Sequence, residues 1–124
     1  MKVNDRCGVL IVEDDESIAQ FVQAVLAEEG YRVEVALSGE EGLAKVKSFH
    51  PDVVLLDLLL PGMDGATFMR ELRRLTEGVR VILMTAAREG GEGIPPSEGL
   101  LLKPFDLNML LGEVERVVAG MPCR

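Results

Sequence analysis

The chain has 124 residues, 48% of them hydrophobic and 27% charged, which suits one compact domain with a core buried on two sides and leaves no room for a second. Its formal charge of −8 argues against direct binding to nucleic acid or an anionic membrane, whose phosphates would meet net negative charge. A protein partner is the better expectation. Cys7 and Cys123 lie near opposite ends with no CxxC or Cys/His spacing, so neither a disulfide framework nor a zinc site is expected, and a reducing cytoplasm is the default setting. The N-terminus lacks a long apolar segment and the longest apolar run elsewhere is broken by Asp57, so neither secretion nor membrane spanning is expected.

Strand and helix signals alternate along the chain, which predicts a parallel sheet covered on both faces. Gly8 to Val12 is the first strand. Ile18, Phe21, Val22, Val25 and Leu26 recur at helical spacing up to a stop at Gly30, predicting a helix from Glu16 to Glu29. Tyr31 to Val35 reads as a second strand. Ser38 with Glu41 reads as a capping box that opens a second helix with Leu43 and Val46 inward. Val53 to Asp57 lacks alternation, as a strand buried on both faces would. A third helix follows from Ala66 to Leu75, then a fourth strand from Val79 to Met84 and a fifth from Leu100 to Leu102. Asp106 caps a last helix whose apolar face carries Leu107, Leu110, Leu111, Val114, Val117 and Val118. Between Thr85 and Leu100, Gly90, Gly91, Gly93, Pro95 and Pro96 oppose a helix interior, so a helix there is expected to be frayed, shortened or missing.

The chemistry concentrates where strands end. Glu13 and Asp14 follow the first strand, Asp57 ends the third, Thr85 follows the fourth and Lys103 the fifth. In an open parallel sheet those ends share one edge, the usual place for a ligand. Two carboxylates about 5 Å apart repel by roughly 3 kcal/mol at an effective dielectric near 20, so three together invite a divalent cation. Oxygen ligands alone favour magnesium, calcium or manganese over zinc. A hydroxyl and an ammonium beside them are what a phosphoryl group on Asp57 would need. Taken singly these residues are ordinary: Glu13 and Asp14 as charges at a helix N-terminus, Thr85 as a strand-end hydroxyl, Lys103 as a surface lysine.

Taken in order, the set resembles the receiver domains of two-component response regulators, over nearly all of the chain. Pro61 and Gly65 match that family's turn after its aspartate, and Lys103-Pro104 matches a bond that is usually cis there. The resemblance implies a flavodoxin-like (CheY-like), doubly wound, five-stranded parallel sheet in the order 2-1-3-4-5, forming one receiver domain over residues 1–124. It implies Asp57 as phosphoacceptor, Mg2+ held by Glu13, Asp14, Asp57 and the backbone carbonyl of Leu59, and Thr85, Lys103 and the Ala86 amide around the phosphoryl group. The donor would be a phosphohistidine on a sensor histidine kinase or phosphotransfer protein, met largely by the first helix with Gln20, Gln23 and Ala24. The receiver itself would catalyse the transfer, as a phosphoacceptor rather than a turnover enzyme. The output would be a phosphorylation-dependent contact with a downstream protein or output domain, by a monomer or weak dimer. Leu59 and Ala87 stand at the two positions that tune phosphoryl lifetime in the family, and neither can orient a water.

The departures from the family lie on the output side. Leu100 replaces the aromatic switch residue, and Gly99 and Glu113 do not supply the acid and arginine of the family's charged dimer face. An interaction module that works without phosphorylation is therefore the alternative. A phosphohydrolase of the haloacid dehalogenase type would need an aspartate where Leu59 stands. A nucleotide or flavin binder would need a glycine-rich loop where Glu13 to Glu16 would repel phosphate. His50 reads as an inert loop residue and Arg73-Arg74 as a solvated helix end.

Overall fold

The computed structural model describes residues 7–86 and 94–123. Five strands, β1 (Gly8–Val12), β2 (Arg32–Ala36), β3 (Val53–Asp57), β4 (Arg80–Thr85) and β5 (Gly99–Leu102), form one sheet in the order β2-β1-β3-β4-β5. Every pairing is parallel. The helices α1 (Glu16–Glu28), α2 (Gly39–Phe49), α3 (Gly65–Leu75) and α4 (Leu107–Val118) cover its two faces. The fold is the CheY-like, flavodoxin-type arrangement expected from the sequence. The tract Gly90 to Gly93 lies outside the described residues, and residues 94–98, with Pro95 and Pro96, carry no helix.

The alternation of side chains along a strand divides the core in two. Val9, Ile11, Val53, Leu55, Ile82 and Met84 point to one face, where Val22 and Leu26 of α1 and Leu110, Val114 and Val117 of α4 pack on them. Leu10, Val12, Val54, Leu56, Val81 and Leu83 point to the other, against Val46 of α2 and Phe68 and Leu72 of α3. β1 and β3 are buried at every residue because both faces are covered. Close approach of α2 to β1 requires Gly42, where a Cβ would meet a Val12 methyl at 2.9 Å and the Phe68 ring at 3.1 Å.

The helix ends follow the sequence signals. Asp15, Ser38, Asp64 and Asp106 each accept a hydrogen bond from the amide three residues on. Gly30, at φ 97°, turns the chain out of α1. Two readings are corrected here. Arg73 is not merely solvated, because its guanidinium donates to the Val79 carbonyl and ties the end of α3 to the start of β4. His50 is not a plain loop residue but the left-handed C-cap of α2, at φ 55°.

The third correction concerns the cysteines, which the structure joins as a Cys7–Cys123 disulfide across 116 positions. The spacing rule sees only local patterns, whereas this pairing comes from topology. β1 begins at the N-terminal edge of the sheet, and α4, following β5, returns the chain to that edge.

β5 is an edge strand, with Leu100 and Leu102 exposed. A side chain caps one of its outer backbone donors, with Leu100 N donating to Glu113 Oε2 at 2.8 Å, and just before the strand Arg116 Nη2 donates to the Glu98 carbonyl at 2.9 Å. A capped edge of this kind resists pairing with another strand. Gly99 makes room for the cap, since a Cβ there would come within 2.8 Å of Glu113 Oε2.

Candidate functional site

Register brings the strand-end residues together. Val12 pairs with Leu56, Asp57 with Met84, and Thr85 with Leu102, so Glu13, Asp57, Thr85 and Lys103 emerge side by side from four neighbouring strands. Glu13 is fully buried, and its amide donates to the Ala36 carbonyl at 3.0 Å, which continues the β1–β2 ladder past the strand end. Its carboxylate accepts from the Asp15 amide at 3.1 Å and from Lys103 Nζ at 2.8 Å. Asp57 is 5% exposed; Oδ1 accepts from the Leu59 amide at 3.0 Å and Oδ2 from Lys103 Nζ at 3.3 Å. Lys103 is placed by its own amide, which donates to the Thr85 carbonyl at 2.8 Å, and is followed by a cis bond to Pro104. Thr85 is buried, and Asp14 stands exposed at the rim.

Carboxylate oxygens of Glu13, Asp14 and Asp57 lie within 4.8 Å of one another. Among the described residues, with all three ionised, the single ammonium paired with them leaves an excess of two negative charges. Oxygen donors in that number suit a hard divalent cation such as magnesium, calcium or manganese, and the charge excess favours its capture. The Leu59 side chain is 72% exposed, so only its backbone faces Asp57. Ala86 borders Lys103 in a shared groove. Ala87, expected to influence phosphoryl lifetime, lies outside the described residues.

The electrostatics follow from burial. Desolvation pushes the Glu13 carboxyl above its ordinary value; the Lys103 and Asp15 hydrogen bonds pull the other way, and Asp57 adds to the rise. For Lys103 burial alone would lower the ammonium, but the hydrogen bond to Glu13 and the charges of Asp57 and Glu13 carry it above its ordinary value. A carboxyl whose folded pKa is raised contributes stability that is complete below its unfolded value and is lost as pH rises through the folded one. At neutral pH the Glu13 charge is therefore a cost in the metal-free protein. Glu13→Gln should melt higher than wild type near neutral pH in chelator, and the gap should close as pH falls toward 4.5, the ordinary glutamate value. Thermal melts across that range check this; a gap that widens on acidification contradicts it.

What the sequence could not indicate is how the site is held. Asp15 both caps α1 and fixes Glu13 through its amide, and only its first role has a sequence signal. The turn after β3 has a sequence signal in Pro61 and Gly65, but the bond that the Leu59 amide makes to Asp57 within it has none.

Residues 9–115 match the family model described as the response regulator receiver domain. Response regulator ArlR of Staphylococcus aureus (strain Mu50) is 30% identical over 118 residues, which cover 92% of this chain and 53% of that protein. Among solved structures, chemotaxis protein CheY4 of Vibrio cholerae superposes with a TM-score of 0.81 at 32% identity, covering 90% of this chain and 98% of that one. A CheY-like response regulator receiver domain protein of Methanospirillum hungatei gives 0.83 at 27% identity, covering 91% and 94%. The chain spans about half the length of the curated relatives it matches.

Proposed function

The chain belongs to the response regulator receiver family of two-component systems, and from that premise we propose that it accepts a phosphoryl group on Asp57 from the phosphohistidine of a sensor kinase or phosphotransfer protein. The observation that carries this reading is the convergence of the three carboxylates within 4.8 Å, with Lys103 Nζ 2.8 Å from Glu13 and 3.3 Å from Asp57. Asp57 is the nucleophile: a carboxylate oxygen bonds to phosphorus as the phosphorus–nitrogen bond to imidazole breaks, and the electron pair leaves on the imidazole nitrogen. Lys103 turns its ammonium to the incoming phosphoryl oxygens, and the Thr85 hydroxyl and Ala86 amide donate to the others. Glu13 holds Lys103 in place throughout. Asp14, Asp57, the Leu59 carbonyl and, through water, Glu13 would hold a magnesium ion, which would supply charge neutralisation at the phosphoryl oxygens.

An apolar groove of about 390 Å³ opens beside Lys103, lined by Ile18, Phe21, Ala86, Lys103, Pro104 and Phe105. It gives a use to the exposed ring of Phe21 on α1, as a seat for the donor protein beside the acceptor. Transfer of labelled phosphate from a phosphorylated kinase or phosphotransfer domain tests the proposal; the expected result is loss of label from the donor and gain on this chain, dependent on a divalent cation. No transfer from any such donor, with chemical phosphodonors also inert, overturns it.

Leu59 and Ala87 offer no group that could position a hydrolytic water, so the phosphorylated protein is expected to be long-lived. Decay of its intact mass in excess magnesium should take far longer than seconds, and decay within seconds would refute this.

A further inference from the structure

The edge of the sheet opposite Asp57 carries a second chemical feature, independent of the acceptor site. β3 has five residues, which puts roughly 16 Å between its two ends. At the N-terminal end Cys7 is 5% exposed, and Asp52 receives the Gly8 amide at 2.8 Å. The tail after α4 comes to this place through Gly120, at φ 78°. Its backbone bonds are local, from Met121 to the Val118 carbonyl and from Cys123 to the Met121 carbonyl. Among the described residues, what holds it against β1 is the Cys7–Cys123 bond and the packing of Met121 and Cys123 on the core cluster that includes Cys7 and Tyr31. Held there, Met121 and Pro122 wall a cavity of about 240 Å³ together with His50, Asp52, Thr76 and Val79.

We propose that Cys7 and Cys123 form a reversible redox clasp that fastens the segment after α4 over the N-terminal edge of the sheet and releases it on reduction. Two features favour a clasp over a permanent staple. A chain of 124 residues with a core on both faces of its sheet does not need a cross-link to fold, unlike small disulfide-dense domains. Cys123 is also partly exposed beyond the last helix, where a thiol can reach it, while Cys7 is shielded. The exchange balances with a small disulfide such as glutathione disulfide. The Cys123 thiolate attacks one sulfur of the disulfide and expels one glutathione thiolate. Cys7 then attacks the Cys123 sulfur of the mixed disulfide and expels the second. The two cysteine protons end on the two glutathione thiols, and reduction reverses each step. Release frees the wall of the cavity and uncovers the part of the core cluster on which Met121 and Cys123 pack.

The chain reports on this region itself, because its single tyrosine, Tyr31, precedes Arg32, whose amide donates to the Cys7 carbonyl at 2.9 Å, and it has no tryptophan. The test is to equilibrate the purified protein across ratios of glutathione to glutathione disulfide, then measure thiol alkylation by mass, tyrosine emission and melting temperature. The expected result is one reversible transition seen by all three. Closing a loop of 116 residues implies that the reduced form melts lower by roughly 10 °C or more. The Cys7→Ser/Cys123→Ser variant should melt like the reduced protein, show no response to glutathione and take up a phosphoryl group at the wild-type rate. A bond that resists thiol until the protein unfolds would make it a static staple and overturn the proposal. So would free thiols at every ratio, or zinc retained on the cysteines in place of the bond.

Discussion

Asp57→Asn is expected to abolish phosphoryl uptake altogether, because an amide cannot form the acyl phosphate and the neighbouring carboxylates are differently placed. Glu13 is buried and committed to Lys103 and the Asp15 amide, and Asp14 stands at the rim. The same substitution removes one of the three carboxylates that meet within 4.8 Å. At an effective dielectric near 20 a unit charge about 4 Å from a divalent cation is worth about 8 kcal/mol, a large part of it offset by hydration, so magnesium should bind at least some hundredfold more weakly. Relief of repulsion should at the same time raise the melting temperature of the metal-free variant. Titration calorimetry with magnesium, together with melting in chelator, reads both effects. Tight magnesium binding by the variant would place the cation elsewhere.

Lys103→Ala should produce the second large effect, with opposite signs for chemistry and for metal response. The ammonium lies 2.8 Å from Glu13 and 3.3 Å from Asp57, and removing it leaves two buried carboxylates facing each other. Breaking a buried pair in this way costs about 3–5 kcal/mol, less whatever Glu13 recovers by taking up a proton. The metal-free variant should therefore melt well below wild type. Magnesium should recover more stability in the variant than in wild type, because it supplies the missing countercharge. The rate of phosphoryl uptake should fall by at least about a hundredfold, the usual loss for one preorganised donor to a transferring group. An unchanged rate at saturating magnesium would remove Lys103 from the chemistry.

Much of this arrangement could be read from the sequence for a simple reason: each site residue ends a strand or lies just past one, and strands of one direction share an edge. The unbroken apolar runs from Gly8 to Val12 and from Val53 to Leu56 mark central strands, and both are buried throughout. β2 and β4 each lie one residue later than expected, a small shift that periodicity in such short strands cannot resolve. Helical spacing was less exact about exposure. Phe21 and Leu107 fall on the predicted apolar faces yet are more than two-fifths exposed. Phe21 borders the groove beside Lys103, and Leu107 is the first residue of α4. The disulfide was illegible because a contact across 116 positions is set by the return of α4 and not by any local pattern. In the sequence Glu113 signals only that the charged dimer face is incomplete, whereas in the structure it caps the Leu100 amide of β5 and pairs with Arg116.

The central claim is that Asp57, with its carboxylate neighbours and Lys103, is a working phosphoacceptor. The most direct measurement is the intact mass of the protein after incubation with acetyl phosphate and magnesium, with chelator as control and peptide mapping of any adduct. One added phosphoryl group, on Asp57 and only when magnesium is present, is the result expected. No adduct in a protein shown separately to bind magnesium, or an adduct on another residue, would contradict it.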